Sequence, residues 1–375
     1  MTRGDVRSPY PGLRAFHRDE SHLFFGRDSC VTDMVSRLAS SRFLAVLGSS
    51  GTGKSSLMRT GLLDALELGL HPASSNWLVV DMHPGGAPFR GLAEALISAE
   101  GSASDTLDVD MLTAAMRQGP RALVEWTQAG RLDEGRQMLV LVDQFEELFR
   151  YSDFAGLEEA AAFARLLIES SRSDQSAVSI CLTMRTEYLG NCGAISGLVE
   201  RINHGLYLTP RMTRSECREA IEGPALVAGF MIEPALTNQL LNDMAMLAPW
   251  GDGQSFARDA ERQSDQLPLM QHVLNRMWLK ARESSEGGQM LLTREAYVGL
   301  GGLTGALDSH GDDILARLGV NSAATDEESP TLAAIAAVFR GLVSGRSLAA
   351  AVRQPRSLAD LEQLVGDQSD RKSVV

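Results

Sequence analysis

The sequence predicts an α/β fold, a parallel five-stranded sheet wrapped by helices and followed by a helical region. Three observations predict it. Short, unbroken apolar runs recur up to about Pro210, separated by helical stretches, which is the pattern of strands buried on both faces. From Thr213 onward such runs vanish and helical periodicity takes over. Between the first run and the helix after it lies a turn rich in glycine and serine. The 375 residues set a prior of two or three domains at about 150 residues each. With 44% hydrophobic and 22% charged residues, the chain can bury its own core without disulfides.

The strand runs, in order, are Phe43–Leu47, Trp77–Val80, Met138–Val142, Val178–Leu182 and Leu206–Leu208. Thr213-Arg-Ser-Glu216 has the spacing of a capping box and opens a helix that Gly223-Pro224 should end. Met270, Val273, Leu274, Met277, Trp278 and Ala281 recur at helical spacing and define one buried face. Residues from Gly311 to Pro330 are polar and read as a linker. An Ala-rich helix over Leu332–Leu342 follows, and Ser357-Leu-Ala-Asp360 is a second capping box opening a short helix.

Composition excludes several classes. The longest apolar runs fall well short of the roughly 20 residues of a membrane helix, and residues 1–12 lack the apolar core of a secretory signal. Four cysteines without CxxC spacing read as reduced, packed thiols, and the expected compartment is the cytoplasm. Lys plus Arg (35) against Asp plus Glu (48) leaves a net charge of −13, so neither a membrane surface nor nucleic acid is an expected partner.

The chemistry concentrates in a few places. Gly48-Ser49-Ser50-Gly51-Thr52-Gly53-Lys54-Ser55 fits GxxxxGK[ST], with a strand before it and a helix from Ser56 after it. Glycines let successive N–H groups converge on a phosphate, aided by the positive end of the next helix. Lys54, expected to be exposed in the empty loop, would reach the β- and γ-phosphates, and the Ser55 hydroxyl would ligate Mg²⁺. Leu139-Val-Leu-Val-Asp143 delivers an acid to the C-terminal edge of the sheet, where it would hold the metal through water. Glu146 and Glu147 follow, on the first turn of a helix continuing to Arg150, and either suits the base that orients the attacking water. Arg185 ends the fourth strand on the same edge and would meet γ-phosphate charge.

These motifs, in order, resemble a family. Pro9-Tyr-Pro-Gly-Leu-Arg-Ala-Phe16, Leu23-Phe-Phe-Gly-Arg27, the P-loop, Asp143-Gln-Phe-Glu-Glu-Leu-Phe149 and Thr183-Met-Arg185 are similar to the novel branch of the STAND NTPases. Ile221-Glu-Gly-Pro-Ala225, Leu267-Pro-Leu-Met-Gln271 and Gly301-Gly-Leu-Thr-Gly-Ala-Leu307 continue the series. The resemblance implies an AAA+-like P-loop NTPase core, a helical lid and a winged helix, with Phe25, Gly26, Arg27 and Pro268 packing around an adenine. The domains would be an N-terminal segment 1–26, an NTPase core 27–210, a helical lid 211–310, and a linker with a partial winged-helix segment 311–375. The winged helix would begin near Leu332 and end near Leu364, because residues 366–372 are too polar to complete a buried helix. Such a chain should purify largely free of nucleotide.

The function so implied is that of an ATP-binding, slowly hydrolysing switch with ATP/ADP and Mg²⁺ as ligands. Its nucleotide state would control homo-oligomerisation or contact with effector or sensor proteins. A truncated nucleotide-binding module that no longer switches and a P-loop phosphotransferase are the alternatives.

Overall fold

Each predicted apolar run is a strand: β1 (Phe43–Gly48), β2 (Trp77–Met82), β3 (Gln137–Val142), β4 (Val178–Arg185) and β5 (Leu206–Leu208). All pair in parallel, in the order β2-β3-β4-β1-β5. Parallel strands need crossovers, and the intervening helices cover both faces. On one face Phe43, Ala45, Val140, Val142, Ile180 and Leu182 pack with helices Pro88–Ala99 and Leu157–Ser170. On the other, Leu44, Val46, Leu139, Leu141 and Cys181 meet helix Asp28–Ser41 and the helix that follows the P-loop. Burial on both sides is why the runs are unbroken rather than alternating. The computed structural model describes residues 7–72, 76–101, 106–133, 135–150, 156–172, 176–247, 266–284, 290–320, 330–344, 352–353, 356 and 358–372. They form two compact units, Met1–Leu303 and Thr304–Val375.

The first unit continues past the sheet into helices Arg214–Val227, Pro234–Leu247, Gln266–Ser284 and Arg294–Gly299. The first of these opens on the expected capping box: Glu216 N donates to Thr213 Oγ1 at 3.3 Å and Thr213 N donates to Glu216 Oε2 at 2.6 Å. It does not stop at Gly223-Pro224 but runs to Val227 with Pro224 inside. The proline removes only one backbone donor, and the rest of the helix is held by packing. Gly223 lets the Phe25 ring lie against that helix; an added Cβ would come within 2.5 Å of the ring. The Tyr10 hydroxyl, buried, donates to the Ile221 carbonyl at 2.7 Å, while Phe16 N donates to Ser56 Oγ at 3.2 Å. The N-terminal segment thus ties the helical region to the helix behind the P-loop.

Gly223→Ala is therefore expected to destabilise the unit by about 1–3 kcal/mol in denaturant titration, through overpacking against Phe25. A Phe25→Ala background should absorb most of that loss. Equal losses in both backgrounds would place the effect elsewhere.

Met270, Val273, Leu274, Met277 and Trp278 are all buried on helix Gln266–Ser284, as their spacing predicts, with Ala281 half-buried. Strands do not vanish after Thr213. Met231–Ile232 (β6) pairs in parallel with Leu291–Leu292 (β7), and two residues are too few to leave a periodicity. Helix Gly302–Arg317, which belongs to the second unit from Thr304 onward, occupies the beginning of the stretch read as a linker. Residues 321–329 lie outside the described residues. Helix Pro330–Gly341, the antiparallel pair Val343–Ser344 (β8) with Val352–Arg353 (β9), and helix Leu358–Lys372 complete the unit. The last helix extends well beyond Leu364: a polar sequence does not prevent a helix whose backbone satisfies itself. Ser357, the expected cap, falls outside the described residues. Cys30, Cys181, Cys192 and Cys217 are free and buried. Among the described residues no helix is long and apolar enough to cross a membrane.

Candidate functional site

The site lies at the C-terminal edge of β1, β3 and β4, where loops from a parallel sheet converge. After β1 the chain turns through Gly51 and Gly53, whose φ values of 73° and 83° lie in the left-handed region, and the next helix begins at Lys54. Lys54 is not exposed as expected. Its ammonium folds back to donate to the Gly48 carbonyl at 2.8 Å and the Ser49 carbonyl at 2.7 Å. The lysine thereby satisfies two carbonyls of its own loop. Burial pushes this ammonium down to about 8, against the opposing pull of Glu146.

Asp143 follows β3 and is 1% exposed. Its Oδ1 accepts from Ser55 Oγ at 2.8 Å and from Thr183 Oγ1 at 2.5 Å, and its Oδ2 lies 3.2 Å from Arg59 Nη1. The pairing of a buried carboxylate with the P-loop hydroxyl is a hard-oxygen donor set that fits Mg²⁺. Among the described residues no group of three or more His, Cys, Asp or Glu could hold a metal alone. Mg²⁺ held by one or two protein oxygens takes its other ligands from phosphate and water. Ser55 and Asp143 would hold it, and bound there it would neutralise phosphate charge.

The two glutamates part company. Glu146 sits in the turn before the helix, which starts only at Glu147. The turn arises because Gln144 adopts φ 58°, letting Gln144 N donate to Thr183 Oγ1 at 3.0 Å and Phe145 N to the Thr183 carbonyl at 2.8 Å. Glu146 is thereby buried beside Arg185, whose N donates to Oε2 at 3.3 Å and whose Nε is 3.6 Å from Oε1. Burial raises its carboxyl above the usual range. Glu147 instead takes Gly85 N at 3.0 Å, on the loop after β2. Arg185 pairs in register with Gly48, so its partly exposed side chain begins beside the P-loop.

A cavity of about 330 Å³ adjoins Gly51 and Thr52, walled by Arg27, Met212, Leu241 and Leu267. Arg27 is buried and donates to the Thr52 carbonyl at 3.1 Å and the Pro210 carbonyl at 2.9 Å, bracing the P-loop from the cavity side. Gly26 has φ 79° and abuts the Glu216 carbonyl. Phe25 and Pro268 are not among the lining residues: Phe25 faces Gly223, and Leu267 rather than its neighbour Pro268 meets the cavity. Sequence reasoning missed Arg59 and gave Thr183 no role. A threonine before a strand's final residues was the one available signal.

A family model described as Novel STAND NTPase 1 matches residues 9–375. The chain belongs to the novel STAND NTPase 1 family. No curated relative matches the sequence. Solved structures similar to this STAND NTPase include the Aeropyrum pernix ORC2 protein in its ADPNP-ADP complexes, at 15% identity over 99% of this chain and 97% of that one, TM-score 0.45. Another is the E. coli MS115-1 HORMA:CdnC:Trip13 complex, at 13% identity, covering 79% of this chain and 91% of that one, TM-score 0.44. Drosophila ORC bound to DNA matches at 11% identity over 96% and 89%, TM-score 0.38.

The Lys54 environment gives a pH prediction. Phosphate favours the charged ammonium, so the bound lysine titrates above its free value of about 8. Nucleotide affinity should be full below pH 8 and fall by up to about tenfold per unit above it. Lys54→Arg should remain flat over pH 7–10, because a guanidinium keeps its charge there. A parent profile as flat as that of the arginine variant would contradict the assignment.

Proposed function

We propose that this STAND NTPase binds ATP with Mg²⁺ and hydrolyses it slowly, its nucleotide state acting as a switch for oligomerisation or partner contact. The observation that carries the reading is Asp143, just after β3, joined to Ser55 at the end of the P-loop, with Glu146 and Arg185 alongside. In this reading Gly48–Ser56 hold the phosphates, Ser55 and Asp143 the metal, and Glu146 orients the attacking water. Arg185 meets the charge that develops on the γ-phosphate. The cavity lined by Arg27 and Leu267 takes the base, and Phe25, Gly26 and Pro268 belong to the segments that carry these two residues. The proposed domains are an N-terminal segment 1–26, a core 27–210, a helical lid 211–310, and a linker with a partial winged-helix segment 311–375.

A switch needs a ligand to contact two arrangements differently. The ties from Tyr10 to the lid and from Phe16 to Ser56 favour this reading, because they link lid position to the phosphate loop. The expected setting is the cytoplasm, with a second copy of the chain or an effector or sensor protein as partner. Light scattering of the protein with ADP and with a non-hydrolysable ATP analogue tests the proposal. A change in mass or partner binding between the two supports it, and identical behaviour with both, despite tight binding, rejects the switch.

A further inference from the structure

Arg59 is used by none of the roles assigned above, yet it meets two carboxylates at the sheet edge. It lies in the π-helical segment Leu57–Leu62 of the helix behind the P-loop. A π segment shifts the side chains after it around the helix and is common at functional sites. From there Arg59 Nη1 reaches Asp143 Oδ2 at 3.2 Å, while Nε and Nη2 hold Asp81 at 2.8 and 3.0 Å and Nη2 meets His83 Nε2 at 2.9 Å. Asp143 is 1% exposed, and its Oδ1 is already shared by two hydroxyls. A carboxylate so buried needs a positive partner, and Arg59 supplies it.

We infer that Arg59 is the built-in counter-ion of the metal site. It is a positioning residue that balances Asp143 when no cation is bound and so sets how much Mg²⁺ the nucleotide site requires. The inference rests on the Mg²⁺–nucleotide reading above and goes beyond it by adding a charge that opposes the metal. Mg²⁺ held by Asp143 would share that carboxylate with the guanidinium, and like charges at such range repel strongly where water is scarce. Asp81 divides the attention of Arg59. Neutralising Asp81 leaves the guanidinium more fully committed to Asp143.

The two variants therefore move the metal requirement in opposite directions. With ADP saturating, the Mg²⁺ concentration giving half of the thermal shift should fall on the order of tenfold in Arg59→Met and rise in Asp81→Asn. In EDTA, Arg59→Met should melt several degrees below the parent, since Asp143 keeps only two hydroxyl donors and the weaker pull of Lys54. Arg59→Lys, which retains the charge, should restore a near-parental Mg²⁺ midpoint. Should Arg59→Met fail to fold, Asp81→Asn at a 38% exposed side chain carries the test alone. A parent that binds ADP without any Mg²⁺ response overturns the metal reading and this inference with it. A parent that responds, with Arg59→Met requiring as much Mg²⁺ or more, or with Asp81→Asn unshifted, overturns the counter-ion role only.

Discussion

Replacing Glu146 with glutamine is expected to slow ATP hydrolysis by about 100- to 10,000-fold, the range a positioned general base contributes. Nucleotide affinity should stay near the parental value. Glu146 is buried beside Arg185, and burial lifts its carboxyl above the usual range, toward the basicity that proton abstraction near neutral pH requires. Glutamine keeps the shape and can still accept from the Arg185 backbone N–H, so the fold has little reason to change. Glu147→Gln is the control. Its carboxylate holds Gly85 N on the loop after β2, and an amide oxygen can accept the same bond. Single-turnover hydrolysis with calorimetric binding separates the two residues. Equal rates in parent and Glu146→Gln would remove Glu146 as the base, and a loss confined to Glu147→Gln would transfer the role.

The sheet was legible because its signal is local. Strands buried on both faces must be apolar throughout, so Phe43–Leu47, Met138–Val142 and Val178–Leu182 announce themselves without knowledge of partners. The P-loop was legible for the same reason: its glycines answer a backbone demand within a few residues. What escaped depends on contacts distant in sequence. Pro224 would end an isolated helix, but a helix packed on Phe25 and bonded by Tyr10 tolerates it. Gln144 carries no mark of its left-handed backbone, which exists because Thr183 of another strand receives the turn. That one residue moves Glu146 out of the helix and turns it away from Glu147, so the sequence alone left both as equal candidates. Arg59 looked like an ordinary helix residue until β2 and β3 brought Asp81 and Asp143 to it.

Lys54→Ala is expected to weaken ATP binding by roughly 10- to 150-fold, the equivalent of one charge-assisted hydrogen bond of about 1.5–3 kcal/mol. The structure narrows that expectation. The ammonium donates to the Gly48 and Ser49 carbonyls, and these bonds must be exchanged for phosphate oxygens on binding. The loss is therefore a difference between two satisfied states, which places it in the lower half of the range at pH 7. It should shrink further above pH 8, where part of the parental population is already neutral. The variant should also lose some stability, because two loop carbonyls lose their donor, yet the sheet and its helices are untouched. Calorimetry at pH 7 and pH 9 on parent, Lys54→Ala and Lys54→Arg measures all of this. The alanine variant should close part of its gap to the parent at the higher pH, while the arginine variant stays constant. An alanine variant that binds ATP as tightly as the parent at pH 7 would mean that phosphate does not reach this loop.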